Sequence, residues 1–438
     1  MKLLKYEKYK ASGVEWLGEI PEHWMNQRID WITALVRGNT GFKKDELLDV
    51  GEYVALQYGK TYKVDEVNNT FNYFVNSEFY KNSQIVNRGD TILISTSETI
   101  EDLGHSCFYS RSDLGLIGGE QILLKPKSRF IDEKYLYYFS KVFCVQLRKY
   151  STGLKVFRFN IDDLKEIFIA IPLLEEQTAI AHYLDAKTSN IDKKIDLLTK
   201  KIAHYQELRK SLINETVCRG LDKSIKLKES GIEWIGKVPE HWEVSRFSDY
   251  IYNNKKTNKN LKETNLLSLS YGKIIRKDFE TSFGLLPASF DTYQIVEEGN
   301  IILRLTDLQN DKKSLRVGFV KERGMITSAY IGLILNKIFD PAYAFYLLYD
   351  FDIKKVFYWQ GGSMRQTMKF EDFKSIPFLV PPKSEQTAIA TYLDTKTQTI
   401  DNITNNLKKQ IDTLKELRKT LINDVVTGKI KVNGTSSV

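Results

Sequence analysis

The sequence predicts an α+β protein laid out as a tandem repeat: two α/β domains of one type, each running into a long helix, the two helices pairing as a coiled coil. Three observations predict it. Ser12-Gly13-Val14-Glu15-Trp16-Leu17-Gly18-Glu19-Ile20-Pro21-Glu22-His23-Trp24 returns, with three aliphatic exchanges and Lys237 in place of Glu19, as Ser230 to Trp242. Glu176-Gln177-Thr178-Ala179-Ile180-Ala181 returns as Glu385-Gln386-Thr387-Ala388-Ile389-Ala390, and the register holds to Leu208-Arg209-Lys210 and Leu417-Arg418-Lys419. The segments that follow the second block carry a mostly apolar stripe with a 3.5-residue period, the seam of a coiled coil.

Length and composition bound the rest. A chain of 438 residues holds two or three domains at ~150 residues each. With 42% hydrophobic and 27% charged residues it folds rather than staying disordered. The net charge of +8 permits a nucleic-acid partner without demanding one. Cys107, Cys144 and Cys218 lie far apart, which argues against a disulfide framework or structural zinc and fits a reducing cytoplasm. The N-terminal residues lack the apolar core of a signal peptide, and no apolar run approaches the ~18 residues that span a bilayer, so no membrane is expected.

The segments divide as a Trp-rich opening motif (1–24), a first middle domain (25–172), a central helical spacer (173–220), a second opening motif (221–242), a second middle domain (243–380), a C-terminal helical spacer (381–428) and a tail (429–438). Trp16, Trp24, Trp234 and Trp242 make each opening motif an apolar anchor. His23 and His241 sit in equivalent places beside a Trp; with no nearby nucleophile they read as packing residues. The two middles are unlike at the level where their frames are alike. That pattern fits two domains performing different versions of one task.

In the first middle, strand-like runs are Glu52–Gln57, Thr91–Ser95 and Gln121–Leu124; in the second, Leu266–Leu269, Ile301–Leu305, Arg316–Val320 and Ile331–Leu335. Helical stretches follow near Glu133–Tyr150 and Ala342–Tyr358. Each middle reads as a compact α/β domain around a twisted sheet.

The spacers step by 4 and 3: Leu184, Thr188, Ile191, Ile195, Leu198, Ile202, Tyr205, Arg209 and Leu212, matched by Leu393, Thr397, Ile400, Thr404, Leu407, Ile411, Leu414, Arg418 and Leu421. Both follow prolines (Pro172; Pro381-Pro382), and Gly220 and Gly428 stand where a left-handed cap closes a helix. About 38 residues at 1.5 Å each give a helix ~57 Å long, a separator of about 17 base pairs at most. The cheapest partner for each stripe is its twin. Either direction is sterically open, and a twofold-related pair is antiparallel.

The Ser-Gly-Val-Glu-Trp-Leu-Gly-Glu-Ile-Pro-Glu-His-Trp motif, the run Ile171-Pro172-Leu173-Leu174-Glu175-Glu176-Gln177 into a long helix, and the Leu-Arg-Lys-x-Leu-Ile-Asn exits resemble the specificity subunit of type I restriction–modification systems. The resemblance spans nearly the whole chain, in both halves and in order. It implies two target recognition domains separated by two long antiparallel helices. It implies double-stranded DNA as ligand, with a bipartite target. Two modification subunits that bind S-adenosylmethionine and methylate adenine, and restriction subunits that translocate and cut DNA, are the implied partners. The chain itself is then expected to be a non-catalytic subunit that binds no cofactor.

Candidate DNA contacts fall at matching places in the two middles. Before each exit to a spacer comes a Gly-containing basic loop: Ser151-Thr152-Gly153-Leu154-Lys155-Val156-Phe157-Arg158-Phe159, and Gln360-Gly361-Gly362-Ser363-Met364-Arg365-Gln366-Thr367-Met368-Lys369. Glycine allows close approach to phosphates, and Arg and Gln make bidentate contacts to guanine and adenine. Lys155, Arg158, Ser363, Arg365, Gln366 and Lys369 are the candidates there. Early in each middle, Tyr58-Gly59-Lys60 and Tyr271-Gly272-Lys273-Ile274-Ile275-Arg276 combine an aromatic with basic residues suited to sugar and phosphate; Tyr58, Lys60, Tyr271, Lys273 and Arg276 are the candidates. Polar stretches after strands add Ser95, Thr96 and Ser97, and Arg304, Thr306, Lys312 and Lys313.

Other chemistry is missing from the sequence. There is no Gly-x-x-x-x-Gly-Lys-Ser/Thr loop, no His-Glu-x-x-His, no Cys cluster and no Asn/Asp-Pro-Pro-aromatic motif. Two rival classes stand beside the DNA reader. One is a DNA-modifying enzyme with an unrecognised site, which activity of the single chain would reveal. The other is a structural coiled-coil adaptor, favoured by a charge of +8 that is thin for a stand-alone DNA binder.

Overall fold

The computed structural model describes residues 4–152, 155–277, 289–308, 310–311, 314–358 and 367–432. It divides into two units whose borders fall inside the long helices: Met1–Leu197 with Gln410–Val438, and Leu198–Lys409.

The first unit is organised by a five-stranded sheet in the order Thr33–Arg37, Gln121–Pro126, Thr91–Ile94, Ser106–Tyr109, Glu66–Val67, with only the last pair parallel. The period-2 geometry of its strands sends alternate residues to opposite faces. Leu93, Ile122, Leu124 and Phe108 enter a core shared with the helix Glu133–Gln146 (α1). Ile92, Leu123, Cys107 and Tyr109 enter a second core, under a four-stranded sheet of Phe74–Val75, Tyr53–Leu56, Gly115–Ile117 and Ile85–Val86. Burial on both faces is why these strands read as continuous apolar runs rather than alternating ones.

The second unit repeats the plan with fewer strands. Its main sheet runs Ile251–Asn253, Ile331–Leu335, Ile301–Leu303, Val317–Phe319, all antiparallel. Ile301, Leu303 and Val317 face the helical core and Ile302 the opposite one. In place of a four-stranded second sheet stand two separate pairs, Leu267–Ser270 with Lys273–Arg276 and Gln294–Val296 with Gly324–Ile326.

Two long helices follow α1: Leu174–Arg219 (α2, 46 residues) and, after the helix Pro341–Ile353 (α3) of the second unit, Lys383–Val426 (α4, 44 residues). Both exceed the ~38 residues expected from the stripe. The difference lies in their first turns, where Gln177, Ile180 and Ala181, and Gln386, Ile389 and Ala390, are buried in the domain that precedes them, so the helix begins before the seam does. Gly220 and Gly428 hold φ of 74° and 76° at the two ends, a conformation that costs glycine little. Among the described residues no helix is long and apolar enough to cross a membrane.

The helices pair antiparallel, and each unit shows it separately. In the first, the end of α4 lies by the start of α2: Tyr9 Oη donates to Gly428 O (3.2 Å) and Tyr6 Oη to Glu176 (2.7 Å), while further along Arg418 Nε meets Asp192 at 3.1 Å. In the second, a Cβ placed on Gly220 would sit 3.2 Å from Trp242, whose Nε1 donates to Glu385, while Arg209 Nε lies 3.6 Å from Asp401. Ile422, Val425 and Val426 thereby join the core around α1, and Ile213, Val217 and Cys218 the core of the second unit around α3.

Candidate nucleic-acid interface

The duplicated blocks hold each domain to its helix with the same bonds. Glu176 accepts from Tyr6 Oη, from His23 Nε2 at 2.9 Å and from Trp24 Nε1 at 3.3 Å. Glu385 accepts from His241 at 2.6 Å and Trp242 at 3.0 Å. Gln177 accepts from the amide of Asp132 (2.9 Å) and donates to Pro172 O (3.0 Å); Gln386 does the same with Asp340 (2.7 Å) and Pro381 (2.8 Å). Thr178 and Thr387 donate to the carboxylates of those aspartates, both at 3.0 Å, and the aspartates cap α1 and α3. Further along, Tyr138 donates to Asp185 and Tyr346 to Asp394, both at 2.6 Å. The repeated residues are therefore frame. The histidines are fastened to this frame, as the packing reading expected.

What the frame presents differs between the units. In the first, the strand Thr91–Ile94 runs out into Ser95–Ser97, and the chain returning to α2 bonds back onto it: Phe159 N donates to Ser95 O at 3.1 Å, and Thr96 pairs Arg158 in a short antiparallel bridge with Ser97 opposite Phe157. The structure thus brings Ser95, Thr96, Ser97 and Arg158 together, although Ser95, Thr96 and Ser97 are buried. Arg158 is exposed and lies 3.6 Å from Glu120. Tyr58 is half-buried, and burial raises the pKa of its phenol above the ordinary value. Lys60 turns to the ring of Tyr73, 4.3 Å from its centroid. Lys155 is exposed on the loop; Gly153 and Leu154 lie outside the described residues.

In the second unit Met368 N donates to Leu305 O at 3.0 Å, the counterpart of the Phe159–Ser95 bond. Thr306 and Lys369 are brought together here. They line a cleft of about 350 Å³ with Asn253, Lys255, Thr257, Ser328 and Tyr330, among others. Amide, hydroxyl and ammonium groups stand in its walls among apolar ones such as Leu305, Ile331, Met368 and Phe370. Such groups suit hydrogen bonds to phosphates and base edges. Arg304 is half-buried, 3.5 Å from Asp311.

Tyr271 and Gly272 form the turn between two strands with φ of 45° and 77°, and Tyr271 is 80% exposed. The matching Tyr58-Gly59-Lys60 is instead a helical turn, Tyr58–Thr61. Lys273 is exposed beside the turn, and a Cβ on Gly272 would meet Leu315 at 2.9 Å, so the turn abuts the chain that leads to Arg316. Arg276, at the far end of its strand, is drawn away by Glu322 (Nε to Oε1, 2.7 Å). Lys312, Lys313, Ser363, Arg365 and Gln366 lie outside the described residues.

Sequence reasoning missed Asn253, Lys255 and Tyr330, which became neighbours of Thr306 only through folding. It also passed over Arg316. One signal was available there: a lone cation opening the apolar strand run Arg316–Val320.

A family model described as the type I restriction modification DNA specificity domain matches residues 21–204 and again 239–413. The chain belongs to that family. It is a specificity subunit of a type I restriction–modification system. The MjaVIII specificity subunit of a type I restriction enzyme from Methanocaldococcus jannaschii is 24% identical over 431 residues, 94% of each chain. The EcoKI specificity subunit from Escherichia coli is 24% identical over 179 residues, 40% of this chain and 38% of its own. A chain solved in work on complex assembly and conformational transition of the type I R-M system aligns with a TM-score of 0.65 at 13% identity, covering 93% of this chain and 98% of that one; it supports the fold.

Proposed function

We propose that this specificity subunit reads a bipartite double-stranded DNA target, one half-site with each middle domain, and performs no chemistry itself. Two adenine methyltransferase subunits dock on it, S-adenosylmethionine being bound by them and not by this chain. Restriction subunits complete the complex, in the cytoplasm. The domains follow the segments given above, 25–172 and 243–380, with the opening motifs and spacers as their common frame.

The observation that carries this reading is the contrast between frame and face. Glu176 and Glu385, Gln177 and Gln386, and Tyr138 and Tyr346 make the same bonds twice. The polar loops above them differ in sequence, strand number and charge. A protein that must hold two readers alike yet have them read different bases is built in this way. Phosphate-directed groups such as Lys155, Arg158, Lys273 and Lys369 position the duplex, while hydroxyl and amide groups in the clefts discriminate bases. The modest net charge of +8 leaves much of the DNA affinity to the partners.

Exchange of residues 243–380 for the matching segment of a relative tests it. Methylated adenines mapped across a genome carrying the exchanged chain with its partners should show a motif altered in one half only. A motif altered in both halves, or in neither, overturns independent reading.

A further inference from the structure

Arg316 is the largest charged side chain fully buried among the described residues, with no exposed surface. A buried guanidinium is costly unless its donors are all occupied. Here four bonds go to main-chain carbonyls and one to a tyrosine hydroxyl. Nη1 donates to Arg304 O (3.1 Å) and Thr306 O (2.7 Å), Nη2 to Asp307 O (3.1 Å) and to Asp311 O, and Nε to Tyr358 Oη (2.9 Å). Tyr358 Oη in turn donates to Asp311 O at 3.2 Å, and the Arg316 amide donates to the buried Asp352 carboxylate at 2.5 Å. Four carbonyls of one loop thus converge on one side chain. Asp307 within that loop holds φ of 56°, a conformation a non-glycine residue keeps only when its surroundings fix it.

The first unit solves the same position differently. Arg316 O accepts from Arg304 N as His105 O accepts from Ile94 N, which makes His105 its counterpart. His105 Nε2 bonds to Val64 O at 2.9 Å rather than to the loop that leads into its own strand. The brace therefore belongs to one reader and not to the shared frame.

We propose that Arg316 is a positioning residue for DNA discrimination by the second domain: it fixes the main chain at Arg304, Thr306, Asp307 and Asp311, and so the place of Thr306 in the cleft, without touching DNA. This rests on the reading that the domain reads a half-site. A rigid loop of this kind sharpens discrimination because a base that fits poorly cannot be met by a shifted contact.

The test uses the complex with its methyltransferase subunits and duplexes in which each half-site is varied one base pair at a time, methylation being counted by sequencing. Arg316→Gln should lower the preference for the correct base pair about tenfold in the half-site read by 243–380 and leave the other half-site unchanged. Arg316→Lys, which keeps the charge but cannot span four carbonyls, should do the same. A preference unchanged in both half-sites, or lost equally in both, overturns the proposal. Should Arg316→Gln fail to assemble, Tyr358→Phe keeps the arginine and removes one acceptor and the tie to Asp311; it should produce a smaller loss, about threefold, in the same half-site, and wild-type preference there overturns the proposal. The exchange of 243–380 separates the two levels. If it leaves the motif unchanged, the reading of the domain fails; if it alters one half while Arg316→Gln alters nothing, only the brace fails.

Discussion

Replacing Glu176 by alanine removes the acceptor on which three donors of the first opening motif converge. Trp24 has no exposed surface, so its indole N–H, 3.3 Å from Glu176, is left buried without a partner, at a cost of about 1–3 kcal/mol. Tyr6 donates to the same carboxylate at 2.7 Å, a charge-assisted bond contributing about 1.5–3 kcal/mol. His23 is half-exposed, so its ion pair adds at most about 1 kcal/mol. Some of these losses overlap once the opening motif loosens, and a net destabilisation of about 3 kcal/mol is expected. Glu176→Gln keeps an acceptor oxygen for Trp24 and should cost about 1 kcal/mol. Urea unfolding followed by tryptophan fluorescence measures both. An alanine variant within about 0.5 kcal/mol of the parent, or a glutamine variant as damaged as the alanine one, refutes the view that this carboxylate clamps the opening motif to the helix.

Burial lifts the Asp352 carboxyl to about 6, against the pull of the Arg316 amide. The folded chain then holds this proton to higher pH than the unfolded chain does, so stability should fall as pH rises from about 4 through about 6 and stay lower above it, by on the order of 3 kcal/mol. Asp352→Asn should flatten that slope in unfolding curves taken across the range; an unchanged slope contradicts the assignment. In the assembled complex, Lys255→Ala with Lys369→Ala should weaken binding to all sequences alike and reduce the slope of log affinity against log salt by about 1–2. An unaltered slope removes both ammonium groups from the interface.

The helical frame was legible because its signal is a period. A 3.5-residue stripe over four heptads admits few interpretations, and every one of its residues, from Leu184 to Leu212 in α2 and from Leu393 to Leu421 in α4, is buried or half-buried. The duplicated Glu-Gln-Thr block could be seen but not explained, since its partners Trp24, Asp132 and Pro172 are fixed only in three dimensions. The faces were harder. Tyr-Gly-Lys occurs in both middles, yet one copy is a helical turn and the other a strand turn with Tyr271 at positive φ. A tripeptide does not choose between them; the neighbouring strands do. Ser95, Thr96 and Ser97 read as a surface stretch, but the returning chain at Phe157–Arg158 covers them, and nothing local foretells that cover.

The first core is completed by Ile422, Val425 and Val426, close to the end of the described chain. A ribosome making this protein must therefore add the whole second unit, continuous from Leu198 to Lys409, before the first core can be completed. Folding order and synthesis order are uncoupled. A chain cut short before Ile422 would carry its defect in its earlier-made half, whose core would stay open to proteases.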